Sequence, residues 1–117
     1  MTLILYLGYV ITFVIRWPGK IKPGAVSNEI LSLEDCLPTL VVAAGDSNIK
    51  DKLLKGYIAS GKNFKVHIDG YNYLPYLTGK TDKAPRDKFF AFVDDGSLGS
   101  VRYNRWKFHF STQEHDE

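Results

Sequence analysis

Only one cysteine, Cys36, occurs in the 117 residues, so no disulfide can close within the chain and no zinc cluster built on several thiolates is available. The single thiol leaves the redox compartment open. An excess of charge is lacking too: 15 basic residues against 13 acidic ones leave a formal net charge of +2. A balance so near neutral gives no electrostatic footprint for nucleic acid or for an anionic membrane surface, and neither is expected as a partner. Internal repeats are absent. Long hydrophobic runs are limited to one, residues 1–15, which carry no charge before Arg16. That run falls short of the roughly 20 residues a membrane span needs. It also lacks the basic start and A-x-A-like cleavage site of a signal peptide. Leu, Ile, Val, Tyr, Phe and Thr dominate it, the composition of a buried strand. Residues 1–16 are therefore read as an apolar N-terminal strand, with no membrane span.

What is present suits one ordinary globular domain: 44% apolar and 24% charged residues, enough for a modest core. Trp17-Pro18-Gly19-Lys20-Ile21-Lys22-Pro23-Gly24 marks a loop leaving the strand, because closely spaced Pro and Gly favour turns and Pro cannot donate to a ladder. The spacing predicts a helix over residues 32–44. Leu33, Cys36, Leu37, Leu40, Val41 and Ala44 form one apolar stripe, and Gly45 is the stop. Pro38 fits the first turn if Asp35 is the cap, and kinks the helix if Ser32 is. A second, weaker helix is expected over residues 47–60, with Ile49, Leu53, Leu54 and Tyr57 on one face. A short strand follows over 63–68, then one helical turn over 74–77 closed by Gly79.

The last third reads as β. Residues 88–93 form one strand, Asp94-Asp95-Gly96 a turn, and residues 101–103 and 106–110 a hairpin around Asn104-Arg105. Trp106, Phe108 and Phe110 share one face of the final strand, opposite Lys107 and His109. A sheet apolar on one side needs a cover, and the stripe of the 32–44 helix is the expected one. Residues 112–117 are a polar tail.

The order of these signals is distinctive. Ile15-Arg16-Trp17-Pro18-Gly19-Lys20-Ile21-Lys22-Pro23-Gly24 resembles the I-R-W-P-G-K-I-x-P-G segment of arylsulfatases. Asp35-Cys36-Leu37-Pro38-Thr39-Leu40 with Ala43-Ala44-Gly45 is similar to the family's D-x-L-P-T-L…A-G helix. Asp69-Gly70-Tyr71-Asn72-Tyr73-Leu74-Pro75-Tyr76-Leu77-Thr78-Gly79 resembles its D-G-x-x-L-x-P-x-L-x-G segment, and Val101-Arg102-Tyr103-Asn104-Arg105-Trp106-Lys107 its V-R-x-x-x-W-K strand pair. The resemblance covers residues 13–110 and implies the C-terminal part of a sulfatase of the alkaline-phosphatase superfamily.

It implies an α+β fold: the C-terminal subdomain of a sulfatase-like α/β enzyme over residues 17–111, with a short antiparallel sheet packed against one or two helices, plus one N-terminal strand. Such enzymes hydrolyse sulfate esters with a formylglycine nucleophile and a divalent cation, usually calcium, and are often periplasmic or secreted. The family's nucleophile motif, C/S-x-P-S/A-R, its metal-binding carboxylates and its lysine lie upstream of the matched segment. No catalytic, cofactor-binding or metal-ligating residue is therefore assigned here. Gly8-Tyr9-Val10-Ile11-Thr12 stands where the family has G-x-R-V-P, so both the arginine and the proline are missing. A truncated or misassigned reading frame, or a substitute strand, is the expected explanation.

The remaining constellations are weighed against simpler readings. Cys36-Leu37-Pro38-Thr39-Leu40 imitates the nucleophile motif, but Leu40 replaces its arginine, and Cys36 is read as a buried core thiol. His67, Asp69, Asp94 and Asp95 suggest a cation site, although Asp-Gly and Asp-Asp-Gly are ordinary turn chemistry. His109 lacks a partner in sequence for acid–base work. Lys88-Phe89-Phe90-Ala91-Phe92-Val93 resembles the RNP1 strand of RNA-recognition domains, with Leu5-Tyr6-Leu7 as an RNP2-like strand. A non-enzymatic binding or interaction module is thus the alternative. In the sulfatase-like reading, loops 69–76 and 94–100 border a substrate pocket, and the exposed N-terminal strand favours self-association.

Overall fold

The computed structural model describes residues 13–110. Those residues form an α+β unit: a 3-10 turn (Leu33–Asp35), helices α1 (Cys36–Ala43), α2 (Ile49–Lys55) and α3 (Leu74–Leu77), a two-stranded ribbon and a three-stranded antiparallel sheet. Of the expected N-terminal strand, residues 1–12 lie outside the described residues, and residues 13–16 adopt no regular element. The loop after them is a turn, as its Pro-Gly chemistry requires. The N–H groups of Lys20 and Ile21 donate to the Trp17 carbonyl, and Gly19 takes φ 75°.

Asp35 is the N-cap of α1, which places Pro38 in the first turn, where its missing N–H costs nothing. The kinked alternative is thereby discarded. The Asp35 carboxylate reaches back to accept the Ser32 N–H at 2.8 Å, which fixes the chain entering the helix. The predicted second helix stops at Gly56, not at residue 60. Tyr57–Ala59 is instead strand β1, antiparallel to β2 (Lys62–Phe64). The cause is local. Gly56 takes φ 105°, and Ser60 and Gly61 both have positive φ (50° and 75°), the twist of a two-residue hairpin turn. The strand expected over 63–68 is correspondingly shorter and begins one residue earlier.

The three-stranded sheet has the order β3 (Lys88–Phe92), β4 (Leu98–Tyr103), β5 (Trp106–His109). Its β4–β5 hairpin turns at Asn104, φ 50°, as expected, while β4 begins three residues earlier than the hairpin reading allowed. The register aligns Phe90, Val101 and Phe108 across the sheet, and likewise Lys88, Tyr103 and Trp106.

The expected cover is not in place. α1 packs with α2 and α3, and the residues it buries are Asp35 at its cap, Pro38 and Thr39. Leu33, Leu37 and Leu40, from the apolar stripe, are more than half exposed. Hydrogen bonding decides the orientation: the Tyr73 N–H donates to Thr39 Oγ1 at 2.9 Å, and Thr39 Oγ1 donates to the Asp35 carbonyl at 2.6 Å. Left buried without partners, these polar groups would cost about 1–3 kcal/mol each, the same order as exposing a leucine. Among the described residues the buried hydrophobic ones are Ile30, Ile49, Leu53, Tyr73 and Ala84, with Pro38 also enclosed, a small core.

Gly70 sits where the 69–73 segment crosses the start of α1. A Cβ added there would lie 2.0 Å from the Glu34 carbonyl oxygen and 3.1 Å from Pro38 Cγ. Since the closest atom is backbone, Gly70→Ala is expected to lower stability by about 3 kcal/mol or more, read by urea unfolding. An unchanged midpoint would show that the crossing is not close.

Candidate functional site

The strongest polar constellation is built around Asp35. Its carboxylate accepts the Ser32 N–H at 2.8 Å and the Tyr71 N–H at 2.7 Å. Arg86 completes it from the loop before β3: Nε donates to Oδ2 at 2.9 Å and Nη2 to Oδ1 at 2.7 Å, a bidentate pair. Arg86 Nη2 also reaches Glu34 Oε1 at 2.5 Å. Asp35 is 1% exposed and Arg86 7%. No buried side-chain polar atom among the described residues is left without a partner. Burial works against the guanidinium's charge, but the hydrogen bonds and charge of Asp35, with Glu34, outweigh it and hold Arg86 above its ordinary pKa.

Two tyrosines frame the junction. The Tyr73 hydroxyl donates to the Ile30 carbonyl, and burial, followed by the Asp35 charge, pushes its pKa up to about 12. The Tyr71 ring lies 4.8 Å from the Arg86 guanidinium carbon and 5.8 Å from Lys50 Nζ, so one face-to-cation contact is tight and the other loose. Lys50 Nζ donates to the Gly70 carbonyl at 3.0 Å. The D-x-L-P-T and D-G-Y-N-Y motifs thus meet in space, and Arg86 closes them together. Every buried polar side-chain atom here is paired with a neighbour.

The other sequence candidates do not converge. His67 Nδ1 and Asp69 Oδ1 lie 3.1 Å apart, but both side chains are exposed. Asp95 is occupied by its own turn, accepting the Ser97 N–H at 2.8 Å and the Ser97 hydroxyl, which lowers its pKa. No group of three or more His, Cys, Asp or Glu able to hold a metal occurs among the described residues. The described residues thus bring together no ligand set for the divalent cation that the resemblance implies. Cys36 does not fit the family's nucleophile: burial and then the Asp35 charge raise the thiol pKa, opposite to activation. Cys36 is half-buried on the wall of an apolar hollow with Leu40, Ala43 and Leu77, less enclosed than a core thiol. His109 stands exposed on β5 opposite Ser100. The RNP1-like residues form β3, which pairs with β4 alone and is an edge strand among the described residues; the RNP2-like residues lie outside them. No helix among the described residues is long and apolar enough to cross a membrane.

Arg86 was not singled out by sequence. It sits in a polar stretch with no partner nearby, and the one signal was an arginine fixed behind Ala84-Pro85 in an otherwise lysine-rich loop.

Fold and junction define a class first: an α+β supporting unit whose motifs hold its segments together. No protein-family profile matches the chain. An ulvan-active sulfatase of Formosa agariphila is 38% identical over 74 residues, 63% of this chain and 12% of that protein. An arylsulfatase of Hemicentrotus pulcherrimus is 32% identical over 107 residues, 91% of this chain and 16% of its own length. Human arylsulfatase A is 37% identical over 101 residues, 83% of this chain and 17% of that protein. The chain therefore spans about a sixth or less of the length of these curated relatives. The chain is thus similar to sulfatases over most of its length, consistent with the C-terminal part that its motifs implied.

Asp35→Asn strips one charge from a buried pair, and is expected to destabilise the fold by about 3–5 kcal/mol in urea unfolding. Tyr73 supplies a pH signature. An unfolded tyrosine ionises near 10, whereas Tyr73 stays protonated to about 12. Between those values the unfolded chain binds fewer protons, so Tyr73's contribution to stability is constant below 10 and falls as pH rises toward 12. Tyr73→Phe is expected to flatten the unfolding profile in that window alone.

Proposed function

We propose that these residues form the structural, pocket-bordering part of an arylsulfatase-like sulfate-ester hydrolase, and that the 117-residue chain does not hydrolyse sulfate esters by itself. The observation that carries the reading is the Asp35–Arg86 junction. It is assembled from segments that resemble the family's motifs, and it uses them to hold the backbone of the 69–73 segment rather than to present reactive groups. A loop clamped from beneath at Gly70, Tyr71 and Tyr73, with Asp69 and Tyr71 exposed, suits the rim of a substrate site. Of the expected loop 94–100, residues 98–100 belong to β4, with Gly99 and Ser100 buried, so only the exposed turn at 94–97 is left to border a pocket. Against independent catalysis stands the sequence itself, which holds no C/S-x-P-S/A-R stretch from which formylglycine is made. The alternative of an RNA-recognition module gains nothing from a β3 strand at the sheet edge.

The purified chain, incubated with an aryl sulfate and calcium, is expected to release no phenol above the buffer rate. Added calcium is likewise expected to leave its melting temperature unchanged, since no ligand set is assembled to favour the folded state. Turnover, or a calcium-dependent rise in melting temperature, would overturn the reading.

A further inference from the structure

Two Asp-Gly bonds occur in the sequence, Asp69-Gly70 and Asp95-Gly96. Such a bond carries its own chemistry, because glycine puts no side chain beside the peptide nitrogen and leaves the backbone free to turn. The glycine nitrogen attacks the aspartyl side-chain carbon. A new C–N bond closes a cyclic imide, the nitrogen gives up its proton, and the carboxyl oxygen leaves as water. Water then opens the imide at either carbonyl. One opening restores aspartate. The other leaves a β-linked aspartate, with one more methylene in the main chain and no change of mass. Water is the only co-reactant.

The structure treats the two bonds differently. At Asp95 both reacting groups are tied within one turn. The carboxylate accepts the Ser97 N–H at 2.8 Å and the Ser97 hydroxyl, which lowers its pKa and keeps it in the ionised, poorly reactive form. The Gly96 N–H donates to the Val93 carbonyl at 2.9 Å. At Asp69 the carboxyl is open to solvent: the side chain is 78% exposed, with His67 Nδ1 at 3.1 Å. The restraint lies on the nitrogen's side of the bond. Gly70 is buried, and even a Cβ there would lie 2.0 Å from the Glu34 carbonyl oxygen. The Gly70 carbonyl accepts from Lys50 Nζ at 3.0 Å, and the next N–H, that of Tyr71, is held at 2.7 Å by the Asp35 carboxylate that Arg86 grips.

We propose that Asp69-Gly70 is a modification site gated by the Asp35–Arg86 junction. The imide places a second acyl carbon on the Gly70 nitrogen, a bulk that so closely packed a glycine admits only when the junction opens. The β-linked product, one methylene longer, no longer seats Gly70 against Glu34. A transient opening is thereby converted into a lasting change in the 69–73 segment. The site is defined by the junction alone, so its failure leaves the sulfatase reading untouched.

Peptide mapping of the full chain after prolonged incubation in weakly acidic buffer tests it, with electron-transfer fragmentation to tell the β-linked residue from the normal one. In denaturing urea the two bonds are expected to react at similar rates, and folding is expected to slow both. Arg86→Lys, which loses the bidentate grip, is expected to speed the reaction at Asp69 about tenfold or more and to leave Asp95 unchanged. Lys50→Met removes the donor to the Gly70 carbonyl and is expected to act in the same direction more weakly; it decides the matter if Arg86→Lys fails to fold. Chain isolated with β-linked Asp69 is expected to unfold at a lower urea concentration than unmodified chain. Asp69 reacting as fast in the folded chain as in urea, no acceleration at Asp69 in the folded variant, equal acceleration at both bonds, or an unchanged urea midpoint for the β-linked chain each overturns the proposal.

Discussion

The described fold depends on the pairing of Asp35 with Arg86 more than on any hydrophobic cluster. The few buried apolar side chains among the described residues cannot alone organise segments as far apart as residues 30, 49, 73 and 84. The carboxylate does it by accepting from both ends of its surroundings: Ser32 behind it, Tyr71 across from it and the Arg86 fork above it. A buried ion pair is weak evidence for stability, because desolvation of the two charges offsets much of their attraction. Its value here is specificity. With both Asp35 oxygens and the Nε and Nη2 of Arg86 directed at named partners, a single arrangement of the 3-10 turn, the 69–73 segment and the loop before β3 satisfies them all.

This constraint explains which parts of the fold were legible in the sequence. Elements fixed by local chemistry came through: the single turn of α3 with its proline, the β3 strand, and the Asn104 hairpin with its alternating aromatics. The end of α2 did not, because Tyr57 continues the helical face of Ile49 and Leu53, and periodicity does not see that Gly56 breaks the backbone before it. The orientation of α1 was missed for the opposite reason. Leu33, Leu37 and Leu40 give a stripe that looks like a core face, yet the polar Asp35 and Thr39 face inward, since their hydrogen-bond partners arrive from residues 71, 73 and 86. Tertiary demand overrode the local pattern.

The site shows the same division. Motif resemblance located Asp35 and the Asp69–Gly70–Tyr71 segment without saying that they touch, and Gly70 acquires a physical reason only when Glu34 is found beneath it. Arg86 belongs to no motif that the sequence made visible. Of the acidic turns that invited a cation site, Asp95 is occupied by Ser97 of its own turn, and Asp69 lies exposed beside His67. Family resemblance in this chain thus records how a scaffold is tied, and the arylsulfatases that share it are much longer, this chain covering 16–17% of their length.

The separation of 51 residues between Asp35 and Arg86 has a consequence for how the unit is made. During synthesis the Asp35 carboxylate emerges long before its guanidinium, and closing a loop of that span costs entropy before any contact rewards it. The nascent helix and the Ser60-Gly61 ribbon form from neighbours in sequence, but locking them together waits for the ribosome to deliver the Ala84-Pro85-Arg86 stretch. Arg86 therefore sets the earliest chain length at which this scaffold acquires a unique native order.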